Sequence, residues 1–209
     1  MRVLILGATG SIGRHLVPQA LALGDEVTAL VRDPSQLEAR HERLRAMPGD
    51  ALDPVAVAAA VLGQDAVVFS LGRRSHRAPT TMFSDATRIL IHAMITHGVR
   101  RLVCVTGIGA GDSRGHGGFL YDRIVFPWIT RETYVDKDRQ EALIRASSLD
   151  WIIVRPASFT NGPQRGHLRA LTNLEGVTIR SISRADAAAF VLAQLRSDTY
   201  IHQAPLVGY

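Results

Sequence analysis

The chain has one cysteine in 209 residues, and that scarcity is its first constraint. A single thiol closes no intrachain disulfide and heads no cysteine-rich metal site. Cys104 stands inside the apolar run Leu102-Val103-Cys104-Val105, where a buried, inert thiol is expected. No metal is expected. No apolar run approaches the ~20 residues that cross a bilayer, so no membrane contact is expected. Met1 leads directly into a strand-like segment, which leaves no room for a signal peptide and sets a cytoplasmic expectation. The net charge of +5 comes from scattered basic residues and not from a basic run, so nucleic acid is not an expected partner. Repeats, linkers and low-complexity tails are also missing. With 46% hydrophobic and 21% charged residues, the sequence describes one globular domain spanning residues 1–209.

What is present begins at the N-terminus. Arg2 to Leu6 is a short apolar run suited to a buried strand, and Gly7, Gly10 and Gly13 follow it at three-residue spacing. Ile12, Leu16, Val17, Ala20 and Leu23 then recur at helical intervals. A strand, a glycine turn and a helix N-terminus together form a cradle for a pyrophosphate. Backbone N–H groups point outward, the helix dipole favours an anion, and the missing side chains let phosphates approach. The turn residues Gly7, Ala8, Thr9, Gly10, Ser11 and Ile12 are the candidates for that contact.

The second strand, Glu26 to Val31, ends at Arg32-Asp33-Pro34. An acidic residue at this strand end would bind the ribose 2′-hydroxyl of NAD, whereas the planar fork of Arg32 suits the 2′-phosphate of NADP. Asp33 either competes with that reading or forms a turn before Pro34. A third strand covers Leu44 to Pro48, and beyond it Asp50 and Ala51 are candidates for the adenine edge. Asp53 and Pro54 are assigned to a helix cap. The sequence further predicts a helix over Val55–Leu62, a strand over Asp65–Gly72, a helix from Pro79 to Gly98 and a strand over Arg101–Thr106. Open α/β sheets bind ligands beyond the carboxyl ends of their strands, so Thr106 is expected on the nicotinamide side. Residues 109–133 are read as the least regular stretch, with Phe119, Tyr121, Phe126 and Trp128 either lining a substrate lid or packing on the domain or a second subunit. A helix from Tyr134 to about Ser147, a strand over Leu149–Val154, a short strand over Val177–Ile179 and a last helix opening at Ser183-x-x-Asp186 complete the pattern.

These segments resemble the atypical short-chain dehydrogenase/reductases, in their NmrA-like NAD(P)-binding branch, and within it the flavin reductase/biliverdin-IXβ reductase family. The likeness rests on Gly7-Ala8-Thr9-Gly10-Ser11-Ile12-Gly13, Val27-Thr28-Ala29-Leu30-Val31-Arg32-Asp33, Gly49-Asp50, Gly63-Gln64-Asp65-Ala66-Val67-Val68, Pro79-Thr80-Thr81, His97-Gly98-Val99, Arg145-Ala146-Ser147-Ser148-Leu149 and Ser183-Arg184-x-Asp186. It implies a single-domain, Rossmann-like α/β fold: a doubly wound parallel sheet with helices on both faces. It also implies NADP(H) as cofactor, held by the glycine turn, Arg32, Asp50 and Ala51, with Leu71 and Gly72 on the ribose. The cofactor set extends to Thr106, Lys137, Pro156, Ala157 and Ser158. Residues 109–133 and 156–180 would be the substrate-side loops, with Gly107, Phe119, Tyr121, Trp128 and Ser158 facing substrate. The chain departs from the family at two positions, carrying Gly107 and Ser158 where a serine and a histidine are usual. A monomer or homodimer acting on a small planar molecule is expected.

The superfamily's alcohol dehydrogenases use Tyr-x-x-x-Lys, and this sequence has none; Tyr134 and Lys137 are only three apart. Reducing a ketone develops an alkoxide that needs a placed proton donor. Hydride delivery to a conjugated ring needs mainly alignment. The sequence therefore favours NADPH-dependent reduction of a flavin-, quinone- or tetrapyrrole-like acceptor, with Lys137 and Thr106 as catalytic candidates. Lys137 followed by Glu141 also reads as an ordinary surface pair. Two other readings stay open: a non-catalytic NADP(H)-sensing regulator, and a reductase or isomerase of an aromatic biosynthetic intermediate.

Overall fold

A computed structural model describes residues 1–73, 78–119 and 121–209. Strand β1 (Arg2–Leu6) is buried from Val3 onward, because a strand in the middle of a sheet has both faces covered. It runs parallel to β2 (Glu26–Val31) on one side and to β4 (Ala66–Phe69) on the other. β3 (Leu44–Pro48) pairs with the outer edge of β2. On the other flank β5 (Arg101–Val105), β6 (Asp150–Pro156) and β10 (Leu206–Gly208) follow β4 in parallel, and β8 (Arg169–Leu171) closes that edge antiparallel. The eight strands lie in the order β3-β2-β1-β4-β5-β6-β10-β8. β7 (Ser158–Thr160) and β9 (Ser181–Ser183) form a separate parallel pair.

Helices α1 (Gly13–Ala22) and α5 (Arg184–Ala193) cover one face of the sheet. Their Leu16, Val17, Ala20, Ala188, Val191 and Leu192 pack against Val3, Ile5, Val68, Val103 and Ile152. On the opposite face, α2 (Pro54–Val61), α3 (Met82–Thr96) and α4 (Arg131–Arg145) enclose Leu4, Leu6, Val67, Phe69, Leu102 and Ile153. The alternation along each strand thus feeds two separate apolar layers, one per face. This is the expected Rossmann-like single domain with a mostly parallel sheet. Cys104 is fully buried in the second layer, and burial pushes its thiol up to about 12.

The caps read from sequence are in place. Asp53 accepts from Val55 N at 2.9 Å, and Ser183 Oγ accepts from Asp186 N at 3.0 Å. Two expectations are corrected. The stretch 109–133 is not simply irregular: Tyr121–Thr130 winds as a wide, π-type helix that runs straight into α4, which therefore begins at Arg131 and not at Tyr134. Val177–Ile179 is not a strand. The Ile179 amide donates to His116 O at 3.0 Å, and pairing starts two residues later in β9.

Strand order reverses between β2 and β4 on either side of β1, so loops leaving β1 and β4 diverge and open a crevice at their carboxyl ends. The functional residues gather there.

Candidate active site

The turn after β1 is tightly folded. Gly10 N donates to Gly7 O at 2.9 Å and Arg14 N to Gly10 O at 3.1 Å. A Cβ on Gly13 would stand 2.1 Å from Gly7 O, so the first residue of α1 packs directly on the turn's backbone. Ile12, the residue capping α1, makes no side-chain cap bond, and no acidic residue sits in the first turn. Arg14 N and His15 N are taken by Gly10 O and Ile12 O, so the amides left open here among the described residues are those of Ser11, Ile12 and Gly13, with no side-chain anion in the first turn, as a phosphate cradle requires.

Arg32 lies exposed beyond β2 and makes no hydrogen bond or ion pair with a described residue. Asp33 is turned to local work. It accepts from Ser35 N at 3.0 Å, Ser35 Oγ at 2.7 Å and Gln36 Nε2 at 3.0 Å, and these bonds hold its carboxyl below the usual range. That leaves Arg32 as the unengaged charge at the strand end. Asp50 accepts from Leu52 N at 3.0 Å with one oxygen, leaving the other free at the exposed end of β3. Ala8 and Thr9 line a smaller hollow of about 270 Å3 beside the turn, together with Arg14 and Glu38, which pair at 3.0 Å.

The main cleft has a volume of about 430 Å3. It collects Gly10, Ser11 and Ile12 from the glycine turn, and Leu71 and Gly72 from the end of β4. Thr106 and Gly107 come from the end of β5, Lys137 from α4, and Pro156, Ala157 and Ser158 from the end of β6. Tyr121 also lines it, with its hydroxyl donating to Ile108 O at 2.7 Å. Phe119, just before the wide helix, and Trp128, on it, do not line the cleft and stand 77% and 78% exposed. The aromatic cluster of this stretch is therefore divided: Tyr121 and Phe126 turn inward, with Phe126 5.6 Å from Tyr134 by ring centroid, while the other two face solvent.

Lys137 is not a surface lysine. It is 7% exposed, its Nζ donates to Val105 O at 3.4 Å, and it lies 4.5 Å over the Phe83 ring. Burial lowers its pKa from the ordinary lysine value. Nor is Glu141 its surface partner. Glu141 is buried and accepts from Thr106 Oγ1 at 2.8 Å, and from Arg155 Nε at 3.0 Å and Nη2 at 2.6 Å. Arg155 also pairs with Asp112. Asp136, next to Lys137, caps α3 by accepting from Phe83 N at 2.8 Å, which fixes α4 against α3; Gln140 Nε2 adds a 2.9 Å bond to Thr87. The ammonium of Lys137 is thus left at the cleft floor with both neighbouring carboxylates taken by other groups.

Sequence reasoning took Glu141 only as a surface partner for Lys137 and missed Arg155. The signal for the second was an arginine closing an otherwise apolar strand, Trp151-Ile152-Ile153-Val154-Arg155, which demands a buried partner.

The two departures from the family pattern also find their places. A Cβ on Gly107 would stand 2.5 Å from the Tyr134 hydroxyl, so Tyr134 occupies the space of the missing side chain. The Tyr134 phenol is raised well above the ordinary tyrosine range, first by burial and then by Tyr121. A phenol so raised is a poor proton donor near neutral pH, and its spacing from Lys137 does not restore the dyad. Ser158 is exposed at the cleft rim.

Comparison with known proteins agrees with this geometry. The chain is 28% identical over 205 residues to an uncharacterized sugar epimerase, YhfK, of Bacillus subtilis, covering 93% of this chain and 88% of that protein. Among solved structures it resembles ChuY, an anaerobillin reductase from Escherichia coli O157:H7, with a TM-score of 0.82 and 24% identity over 100% of this chain and 97% of the other. A short-chain dehydrogenase/reductase from Veillonella parvula, solved in complex with NADP, superposes with a TM-score of 0.80 at 18% identity, covering 100% and 94%. A family model described as NAD(P)H-binding matches residues 7–198, from the glycine turn to beyond α5, and the chain belongs to that NAD(P)H-binding family.

Proposed function

We propose that the protein is an NADPH-dependent reductase that delivers hydride to a planar conjugated acceptor of flavin, quinone or tetrapyrrole type. The observation that carries this reading is the hydroxyl chemistry of the cleft. The Thr106 hydroxyl donates its hydrogen bond to Glu141, the Tyr121 hydroxyl donates its own to Ile108 O, and burial raises the Tyr134 phenol. A substrate needing a hydroxyl acid at the reacting atom is poorly served here. An acceptor that spreads charge over a ring and takes its proton from water is well served.

NADPH, when bound, supplies the hydride. The residues present fit it: an uncapped α1 N-terminus packed on a glycine turn for the pyrophosphate, Asp50 and Ala51 toward adenine, and Leu71 and Gly72 toward the ribose. Arg32 meets the 2′-phosphate. Lys137 offers a cation at the cleft floor to the nicotinamide ribose or to developing negative charge. Pro156, Ala157, Ser158 and Gly107 shape the acceptor side.

The test is NADPH consumption with riboflavin, FMN and a soluble quinone. Steady oxidation with any of them supports the enzyme. Tight NADPH binding with no turnover across a broad acceptor panel overturns it in favour of a sensor. Cofactor choice is tested separately. Arg32→Ala is expected to weaken NADPH about tenfold or more, the scale of one charge-assisted contact, and to leave NADH little changed. Equal losses for both cofactors in a binding titration would remove Arg32 from the 2′-phosphate site.

A further inference from the structure

We propose that the acceptor is itself an anion, carrying a carboxylate or phosphate that Arg184 holds at the substrate end of the cleft. The inference rests on the reductase reading and adds the charge of its substrate. The described residues lining the cleft include three cationic side chains, Arg73, Lys137 and Arg184, and no carboxylate. Lys137 lies at the floor beside Val105 and Phe83. Arg184 opens α5 directly after β9, beside Phe159 of β7, while its neighbour Ala185 accepts through its carbonyl from Gln19 Nε2 of α1.

Arg184 makes no ion pair with a described residue. Its guanidinium lies 5.3 Å over the Phe159 ring, and Nη1 donates to Asn161 Oδ1 at 2.6 Å. One donor and one face are thereby fixed, while the remaining N–H groups of the fork stay free for a bidentate contact. The nearest carboxylate in sequence, Asp186, is turned away. It accepts from Arg165 N at 2.9 Å and Gly166 N at 3.0 Å, and from the hydroxyls of Ser183 and Tyr209. Those bonds also tie down the loop that carries Arg165. The substrate-side segment 156–184 has four arginines and a single acidic residue, Glu175, so its field favours an incoming anion.

FMN and riboflavin share one ring system and differ by a phosphate, which isolates the anion. Binding to the full chain saturated with NADP is read by quenching of flavin fluorescence. The wild type is expected to bind FMN about tenfold or more tightly than riboflavin, the scale of a charge-assisted pair. Arg184→Ala is expected to erase that preference with riboflavin binding unchanged, and Arg184→Lys to keep part of it. Equal binding of the two flavins by the wild type, or no FMN binding, overturns the proposal. So does a loss of NADPH affinity in Arg184→Ala as large as the loss for FMN, which would make Arg184 a ligand of the cofactor's own phosphates. An Arg184-dependent FMN preference without any flavin reduction would sink the hydride-transfer reading and leave the anion site standing.

Discussion

Gly13→Ala is expected to weaken NADPH binding by more than a hundredfold and to lower thermal stability at the same time. The added methyl carbon would lie 2.1 Å from Gly7 O and 2.5 Å from the carbonyl carbon and oxygen of Ala8. These are backbone atoms of the turn that leaves β1, with no flexible side chain to yield. Either α1 lifts from the sheet or the turn opens. Overpacking of this kind costs about 1–3 kcal/mol, and in a chain of this size each kcal/mol lowers Tm by roughly 2–4 °C. The effect on cofactor is larger. The turn amides and the α1 N-terminus act together on one pyrophosphate, and each charge-assisted bond contributes about 1.5–3 kcal/mol. Misaligning two of them exceeds the ~2.7 kcal/mol that corresponds to a hundredfold in Kd. Gly162→Ala is the stability control, because a Cβ there meets only Thr160 Oγ1, at 3.9 Å. Retained tight binding by Gly13→Ala would show that the turn is a connector and not the cradle.

The features legible in the sequence are those that local rules decide. β1, β2 and β3 match their apolar runs, Asp53 and Ser183 cap the helices they announce, and the glycine spacing marks the turn. Arg32 and Asp33 were separable only by looking, because either side chain could have faced the ribose from that strand end. The residues that escaped are those whose environment comes from elsewhere in the chain. α4 carries a polar stripe, Thr133, Asp136, Lys137, Gln140 and Glu141, where an amphipathic helix would place aliphatic side chains, and all of it is buried. Three of its members find partners far along the chain: Asp136 at the N-terminus of α3, Gln140 through its Nε2 to Thr87, and Glu141 from Thr106 and Arg155. Periodicity locates such a helix and gives its buried face the wrong sign. The three-residue strands β7, β8, β9 and β10 escape for a related reason, since so short a run is a strand only because a neighbour pairs with it.

Arg155→Ala is expected to destabilise the protein by about 3–5 kcal/mol, the range for removing one partner of a buried ion pair. Arg155 is 1% exposed and grips both oxygens of Glu141. Without it the carboxylate keeps one hydrogen bond from Thr106 and a distant contact with Arg145 at 3.6 Å. The loss comes from stranding Glu141 in a poorly solvated position and exceeds any net worth of the pair itself. A drop in Tm on the order of 10 °C follows from the same size scaling. The second half of the argument uses the pair of variants. Glu141→Gln in the Arg155→Ala background removes the stranded charge, so it should recover a large part of the lost stability even though it restores no ion pair. Recovery that fails would mean that the arginine acts through its place beside Gly111 and its pairing with Asp112 and not through Glu141. The cleft reports on the same network. Thr106 is oriented by Glu141, and the double variant leaves an amide in place of a carboxylate to receive its proton. Acceptor KM and turnover should therefore change in the double variant even where its Tm has returned toward that of the wild type. Unchanged kinetics in a restabilised double variant would remove Thr106 orientation from the catalytic argument and leave the ion pair a purely structural device.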